Sequence, residues 1–417
     1  MTNIVSPAKN LWNRNFILLV ITQLISILGN MIITFALPLY ILDISGSATL
    51  YGVILALSYI PLCIMSPIGG LIADRFQKQR IMFWLDISTV VIIICYVLLN
   101  GMVSSLVFLV IIKLMALNSI QGMYSPAVQA SVPVLVPTDK LVSANAVVNT
   151  IDSISSMAGY ALAGVLLARF GLSSILLISA ICFASTSILD LLLHIPCKKQ
   201  LVTRNLFKTA KADIFSAMKL MVQEKCIISK CATVVALSVV TVMSMLFVGL
   251  PVLINQTLYL EMDFVGVSQG IMMIGGIIGG IIAGVLGDKI SIEKLYLLLI
   301  ISGLALFPIG FCLLLDIPAS LAHIIITIAS AVSFIPLQMG TIIVFAFIQR
   351  EVSSDFVGKI MSFILMIPYL CLAIGQLIYG FLFEQLANIP ALIIFITMVF
   401  SIIIAIYAYK HLRVHQK

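Results

Sequence analysis

Gly70-Leu71-Ile72-Ala73-Asp74-Arg75 and Gly284-Val285-Leu286-Gly287-Asp288-Lys289 are two versions of one short segment, each placed where a long apolar run gives way to charge. The two aspartates stand about half a chain apart, so the 417 residues read as two related halves. Outward from these segments the pattern continues as apolar stretches of roughly 20 residues, the length an α-helix needs to cross the hydrocarbon of a bilayer.

Hydrophobic residues make up 62% of the chain and charged residues only 9%, against about 25% charge in a soluble domain. An all-α polytopic membrane protein follows, with spans predicted at 16 to 44, 48 to 72, 80 to 101, 104 to 129, 143 to 168, 172 to 195, 228 to 257, 264 to 287, 294 to 315, 319 to 348, 358 to 384 and 389 to 410. The long polar stretch at 196–227 divides these twelve into two pseudo-symmetric six-helix halves, 1–195 and 228–417. Within it, Ile214, Phe215, Met218, Met221 and Val222 recur at helical spacing beside basic residues, the pattern of an amphipathic helix lying on the membrane surface. Paired halves in a membrane protein imply a transporter that rocks about a central site.

Cytoplasmic loops accumulate Lys and Arg. With both termini placed inside, every one of the 23 Lys and Arg residues except Arg169 and Lys113 falls on the cytoplasmic side. The net charge of +7 is thereby explained by topology and by contact with anionic lipid heads, without nucleic acid. The first apolar run is too long for a signal-peptide core and contains Pro38, so it is read as a span. The eight cysteines show no metal-ligand spacing and are read as small apolar packing residues. No Gly-x-x-x-x-Gly-Lys-Ser/Thr loop is present to bind ATP, and the four histidines, scattered at helix ends and in the tail, offer no hydrolytic centre. Neither a cofactor nor an enzymatic activity is expected.

Over essentially its full length the chain resembles the major facilitator superfamily. The stretch Gly70 to Arg80 is similar to the signature loop between helices 2 and 3 of that family, with Gln77 at a position usually held by Gly and with Lys78 and Arg80 keeping the basic end. Ser125-Pro126-Ala127-Val128-Gln129-Ala130-Ser131-Val132-Pro133, Ala144-Asn145-Ala146 and Gly358-Lys359-Ile360-Met361-Ser362 resemble the macrolide-efflux branch of the drug:proton antiporters. Two departures stand out. The antiporter motif of helix 5 reads Gly159-Tyr160-Ala161-Leu162-Ala163-Gly164 and lacks its kinking proline, and Asn118 stands where many proton-coupled exporters carry an arginine, four residues before Gly122.

The resemblance implies alternating access and a monomeric, multi-pass protein of the cell membrane, of the bacterial cytoplasmic kind. Gly70 is then expected to let helices 2 and 11 approach, and Asp74 to accept from the first amides of helix 11. Arg75, Lys78 and Arg80 would complete a conformational latch, with Asp288 as a weaker copy in the second half. Asn145, Asn149, Asp152 and Ser156 recur at spacings of 4, 3 and 4, which places them on one face of helix 5. Asp152 lies about 13 Å from the cytoplasmic end of that helix by helical rise. A charge at such depth costs on the order of 3 kcal/mol, so Asp152 is the expected proton-coupling carboxylate.

Lys113 in helix 4 is expected to line the cavity or to reach the far interface. Gln23 and Asn30 in helix 1, with Gln269, Gln338 and Gln376 in the second half, are expected to offer hydrogen bonds to a substrate. Gly275 and Gly279 in helix 8 are expected to pack against Gly159 and Gly164 of helix 5, while Asp86 and Asp190 are read as structural. The expected activity is proton-coupled export of a small amphipathic compound, drug-like or macrolide-like. The alternatives are a lysophospholipid or siderophore exporter, an uncoupled facilitator and, from another class, a non-transporting membrane sensor.

Overall fold

A computed structural model describes residues 10–99, 105–137, 140–195, 226–286, 290–315, 317–351 and 354–412. They fold as helices throughout: α1 Arg14–Ser45, α2 Ala48–Arg75, α3 Lys78–Leu99 and α4 Leu106–Leu135 come first. A continuous run Leu141–Leu192 follows. At 52 residues it would reach about 78 Å if straight, more than twice the ~30 Å hydrocarbon thickness. It does not run straight, because Gly171 adopts φ 69° and ψ 179°, a conformation open to glycine and closed to residues with a Cβ. The run is therefore two crossings, α5 over 141–170 and α6 over 172–192. Eleven helices of the described residues are long and apolar enough to span a membrane, and the break at Gly171 supplies the twelfth crossing predicted from sequence.

The remaining spans are α7 Ile227–Thr257, α8 Met262–Leu286, α9 Ile292–Cys312, α10 Ala319–Glu351, α11 Ser354–Gln385 and α12 Pro390–Leu412. Two departures from regular helix were not foreseen. α7 contains π-helical turns at Val239–Met243 and Leu253–Thr257. α9 is interrupted between Leu295–Leu304 and Phe307–Cys312, where Pro308 has no amide to continue the ladder. Several helices also outrun their apolar stretch, α4 reaching Leu135 and α10 reaching Glu351.

Two compact units emerge, Met1–Leu37 with Ser58–Ala210, and Pro38–Leu57 with Lys211–Lys417. In the first, Asn13 caps α1 by accepting from Phe16 N at 3.0 Å and donates to Leu135 O at 2.8 Å, tying the start of α1 to the end of α4. Ser179 Oγ donates to Gly29 O at 3.1 Å and Ser155 Oγ to Leu24 O at 3.3 Å, joining α6 and α5 to α1. In the second unit, Ser302 and Ser333 each donate to the other's carbonyl oxygen at 2.9 Å, a reciprocal clasp between α9 and α10. Ser401 Oγ donates to Leu299 O at 2.8 Å and brings α12 onto α9. Hydroxyl-to-carbonyl bonds of this kind hold helices together where apolar burial gives no preference between protein and lipid.

The small-residue line of α8 packs within the second unit. A methyl group on Gly275 or Gly279 would run into the backbone oxygens of Ala331 and Ile335, so these glycines seat α8 on α10. Gly159 lies against Met31 of α1, and Gly164 is buried within the first unit. A run of small residues shows that some backbone comes near, but not which one. In the first unit, a Cβ on Gly69 would lie 2.6 Å from Met123 Cα, so this glycine lets α2 approach α4. Gly275→Ala and Gly279→Ala are expected to destabilise the purified protein by about 1–3 kcal/mol each, the cost of overpacking. Gly284→Ala, with nothing within 4 Å of the new methyl, leaves the thermal midpoint unchanged in the same unfolding assay.

Candidate functional site

Helix α5 carries two neighbouring stripes. Ala144, Val148, Ser155 and Gly159 are buried and face α1, while Asn145, Asn149 and Asp152 lie exposed on the adjacent face with Ser156 half-buried beside them. The stripe read from the 4, 3, 4 spacing is therefore present, and it is open rather than sealed into the helix packing. On α1, Gln23 and Asn30 are buried, and Gln23 Oε1 has no hydrogen-bond partner. Lys113 of α4 is 3% exposed, with Nζ 4.0 Å from the centroid of the Tyr96 ring on α3. Its charge is held against an aromatic face inside the first unit, neither snorkelling nor open to solvent. Lys78 is buried at the start of α3 and Arg80 is exposed. The side chains of Asp74 and Arg75, and the whole of Asp288, lie outside the described residues.

The second unit collects orphaned amides. Gln269 is fully buried with neither amide atom hydrogen-bonded, and Gln376 is 1% exposed with Oε1 unpartnered. Gln338 is half-buried. Next to Gln269, Ser268 Oγ lies 2.8 Å from His323 Nε2 and 2.7 Å from Thr327 Oγ1, linking α8 to α10. An unsatisfied buried amide costs on the order of 1–3 kcal/mol, so Gln23, Gln269 and Gln376 are groups for which an incoming hydrogen-bonding ligand would be a net gain.

A contact absent from the sequence reading lies at the α1–α2 turn. Gly46, at φ 62°, reverses the chain, and Ser47 Oγ caps α2 by accepting from Leu50 N at 3.1 Å. Glu384 of α11 then adds a carboxylate to this helix start. Its Oε2 accepts from Thr49 N at 2.8 Å and from Ser47 Oγ, and the charge sits at the positive end of the α2 dipole. One turn away the chains meet backbone to backbone, since a Cβ on Gly380 would lie 3.0 Å from Gly52 Cα. The available signal was a lone acid near the end of helix 11 together with a Ser-x-Thr helix start, but only the fold brings them together.

The sequence profile of the Major Facilitator Superfamily matches residues 19–376. The chain belongs to that superfamily and is a membrane transporter by family and fold. Among characterised relatives, it is 25% identical over 193 residues to Macrolide efflux protein A of Streptococcus pyogenes, a match covering 45% of this chain and 46% of that protein. The chain thus spans about half the length of that relative. The Staphyloferrin A transporter of Staphylococcus aureus (strain NCTC 8325 / PS 47) is 25% identical over 347 residues, covering 81% of this chain and 82% of the relative. Among solved structures, nucleoside transporter NupG superposes with a TM-score of 0.73 at 14% identity, covering 96% of this chain and 100% of that one. A D-xylose-proton symporter gives 0.70 at 15% identity, covering 95% and 97%.

Removing the Glu384 carboxylate takes away two hydrogen bonds to a charged acceptor, both exposed to solvent screening and together worth about 2 kcal/mol, or roughly thirty-fold in an equilibrium. Spin labels at Asp43 and Ala387 are expected to report a single short distance in the wild type. Glu384→Ala should add a longer population, and an unchanged distance distribution would show that the contact does not hold the two segments together.

Proposed function

We propose that this transporter is a secondary active exporter working by alternating access, exchanging protons for a small amphipathic compound. The observation that carries this reading is the open polar stripe Asn145, Asn149, Asp152 and Ser156 on α5, which combines hydrogen-bonding groups with a single carboxylate in an otherwise apolar span. Scarce charge in the membrane favours an apolar or amphipathic substrate over a sugar or a highly charged metabolite. Asp152 carries the exchanged proton. Gln23 and Asn30 on one side, with Gln269, Gln338 and Gln376 on the other, give the substrate its few polar contacts. Efflux is in keeping with the name of the macrolide relative.

In this reading the chain has two six-helix halves, 1–195 and 228–417, joined by the 196–227 tether, with both termini in the cytoplasm of a bacterial cell and one chain as the working unit. Asp74, Arg75, Lys78 and Arg80 with Asp288 latch the cytoplasmic side closed, while Glu384 on Ser47 and Thr49 latches the opposite side. Each latch is broken when the other forms. A second reading, export of an anionic siderophore, is favoured by the relative that matches over most of the chain, the Staphyloferrin A transporter.

Inverted membrane vesicles distinguish these readings. A fluorescent amphipathic dye is expected to accumulate in the wild type only under an imposed pH gradient, and Asp152→Asn is expected to abolish that accumulation. Dye accumulation that is equal in wild type and mutant would keep the exporter and withdraw Asp152. No accumulation in the wild type, with gradient-driven movement of a ferric siderophore instead, would establish the second reading.

A further inference from the structure

Asp86 of α3 and Asp190 of α6 take no part in the preceding function, and among the described residues of the first unit they are the most deeply buried carboxyls, at 1% and 0% exposure. Asp86 lies within electrostatic range of Asp190, and both lie within range of the hydroxyl of Tyr124 on α4. Tyr124 is 3% exposed and its hydroxyl has no hydrogen-bond partner. Asp86 Oδ2 and both carboxyl oxygens of Asp190 are likewise unpartnered. Ser26 of α1 and Thr186 of α6 bring hydroxyls within hydrogen-bonding reach of Asp86, and Ser26 also neighbours Tyr124. Four helices thus converge oxygen atoms on one point.

No described cation faces that point. Lys78 lies on α3 about 12 Å from Asp86 by helical rise, and Lys113 lies on α4 about 16 Å from Tyr124, occupied with the Tyr96 ring. Arg80 and His194, near the ends of α3 and α6, are exposed. Two like charges within range of each other in an apolar core, with no counter-charge among the described residues, are not a persistent state. A single positive charge resolves the conflict, and a proton resolves it with the fewest ligands. Bound to one carboxyl oxygen as O–H, it removes one charge and becomes the donor for the facing carboxylate, with Tyr124 and Ser26 donating to the oxygens that remain.

We propose that Asp86 and Asp190, assisted by Tyr124 and Ser26, form a buried site that binds one proton between α3 and α6. The site is separate from the α5 stripe and clamps the two helices only while it is occupied. As a proton site it stands without any assumption about transport; as a second coupling site it rests on the proton-exchange reading above.

Infrared spectroscopy of the purified full-length protein reads the site directly. At neutral pH the wild type is expected to show a protonated-carboxyl C=O band that moves to lower frequency in D2O. Asp86→Asn and Asp190→Asn each shift it, and the Asp86→Asn/Asp190→Asn double variant loses it. Tyr124→Phe keeps the band but moves its frequency. The asparagine amide matches the neutral acid in size; should the double variant not fold, the shifts in the two single variants decide the matter. No difference in this band between wild type and the variants would overturn the proposal. So would a wild-type band abolished by sodium chloride and not by choline chloride, which would place a sodium ion where the proton is assigned. A band that behaves as expected in a protein whose dye transport ignores the pH gradient would leave the site standing and withdraw only the exchange reading.

Discussion

Hydrocarbon offers no hydrogen-bond partner, and this one constraint governs the whole structure. The backbone answers by being helical wherever it spans. The side chains answer locally: Thr34, Ser131 and Thr397 return their hydroxyl protons to the carbonyls of Asn30, Ala127 and Ile393 four residues earlier, at 2.6, 2.6 and 2.8 Å. The same hydroxyl chemistry turned outward ties helix to helix, as in the Ser302–Ser333 clasp. A polar group that follows neither course keeps its cost. Gln23, Gln269, Gln376, Asp86 and Asp190 are among those that do so and are set apart by energetics rather than by position alone.

Close approach of backbones is the second half of the same solution. Where α8 meets α10 or α2 meets α11, glycine brings main chain against main chain and replaces the driving force that lipid removes. The π turns of α7 work differently. Each inserts an extra residue into a turn and re-aims the side chains that follow, and Ser244, immediately after the first of them, donates to Val239 O at 2.8 Å across five residues. That hydroxyl lies where α11 passes closest, against Gly375, so an irregularity in one helix is matched by a missing side chain in the next.

Much of this was legible in the sequence, because the membrane makes length and polarity nearly sufficient. The twelve crossings followed from apolar runs, and the 4, 3, 4 spacing placed Asn145, Asn149 and Asp152 on one face, which the structure leaves exposed. What could not be read is which helix faces which. Gly275 and Gly279 advertised a close neighbour, yet periodicity carries no information on whether it is helix 5 or helix 10. Asp86 and Asp190 are 104 residues apart in the chain, so each looked like an isolated acid near a helix end. Their conflict exists only once α3 and α6 are packed together. The Glu384 contact escaped notice for the same reason, since its partners come from the α1–α2 turn and the start of α2, more than 300 residues away.

The two devices that bind α2 at its start differ in a way that bears on motion. Ser47 caps the helix from within its own chain neighbourhood, and that bond survives any displacement of α11. Glu384 caps a different amide of the same turn, Thr49 N, from a distant helix, so its bonds depend on where α11 lies. A helix start so provided for does not unravel when Glu384 departs, because the local cap remains and Thr49 N needs only a water molecule in exchange. The contact therefore carries conformational information without carrying the fold. The acid pair of the first unit has the opposite character: losing its proton would leave two facing charges that no water reaches in the packed state, so release has to accompany a loosening of α3 against α6. A latch that opens without damage and a buried site that cannot empty without movement are the two properties a protein needs if proton binding is to be tied to a change of state.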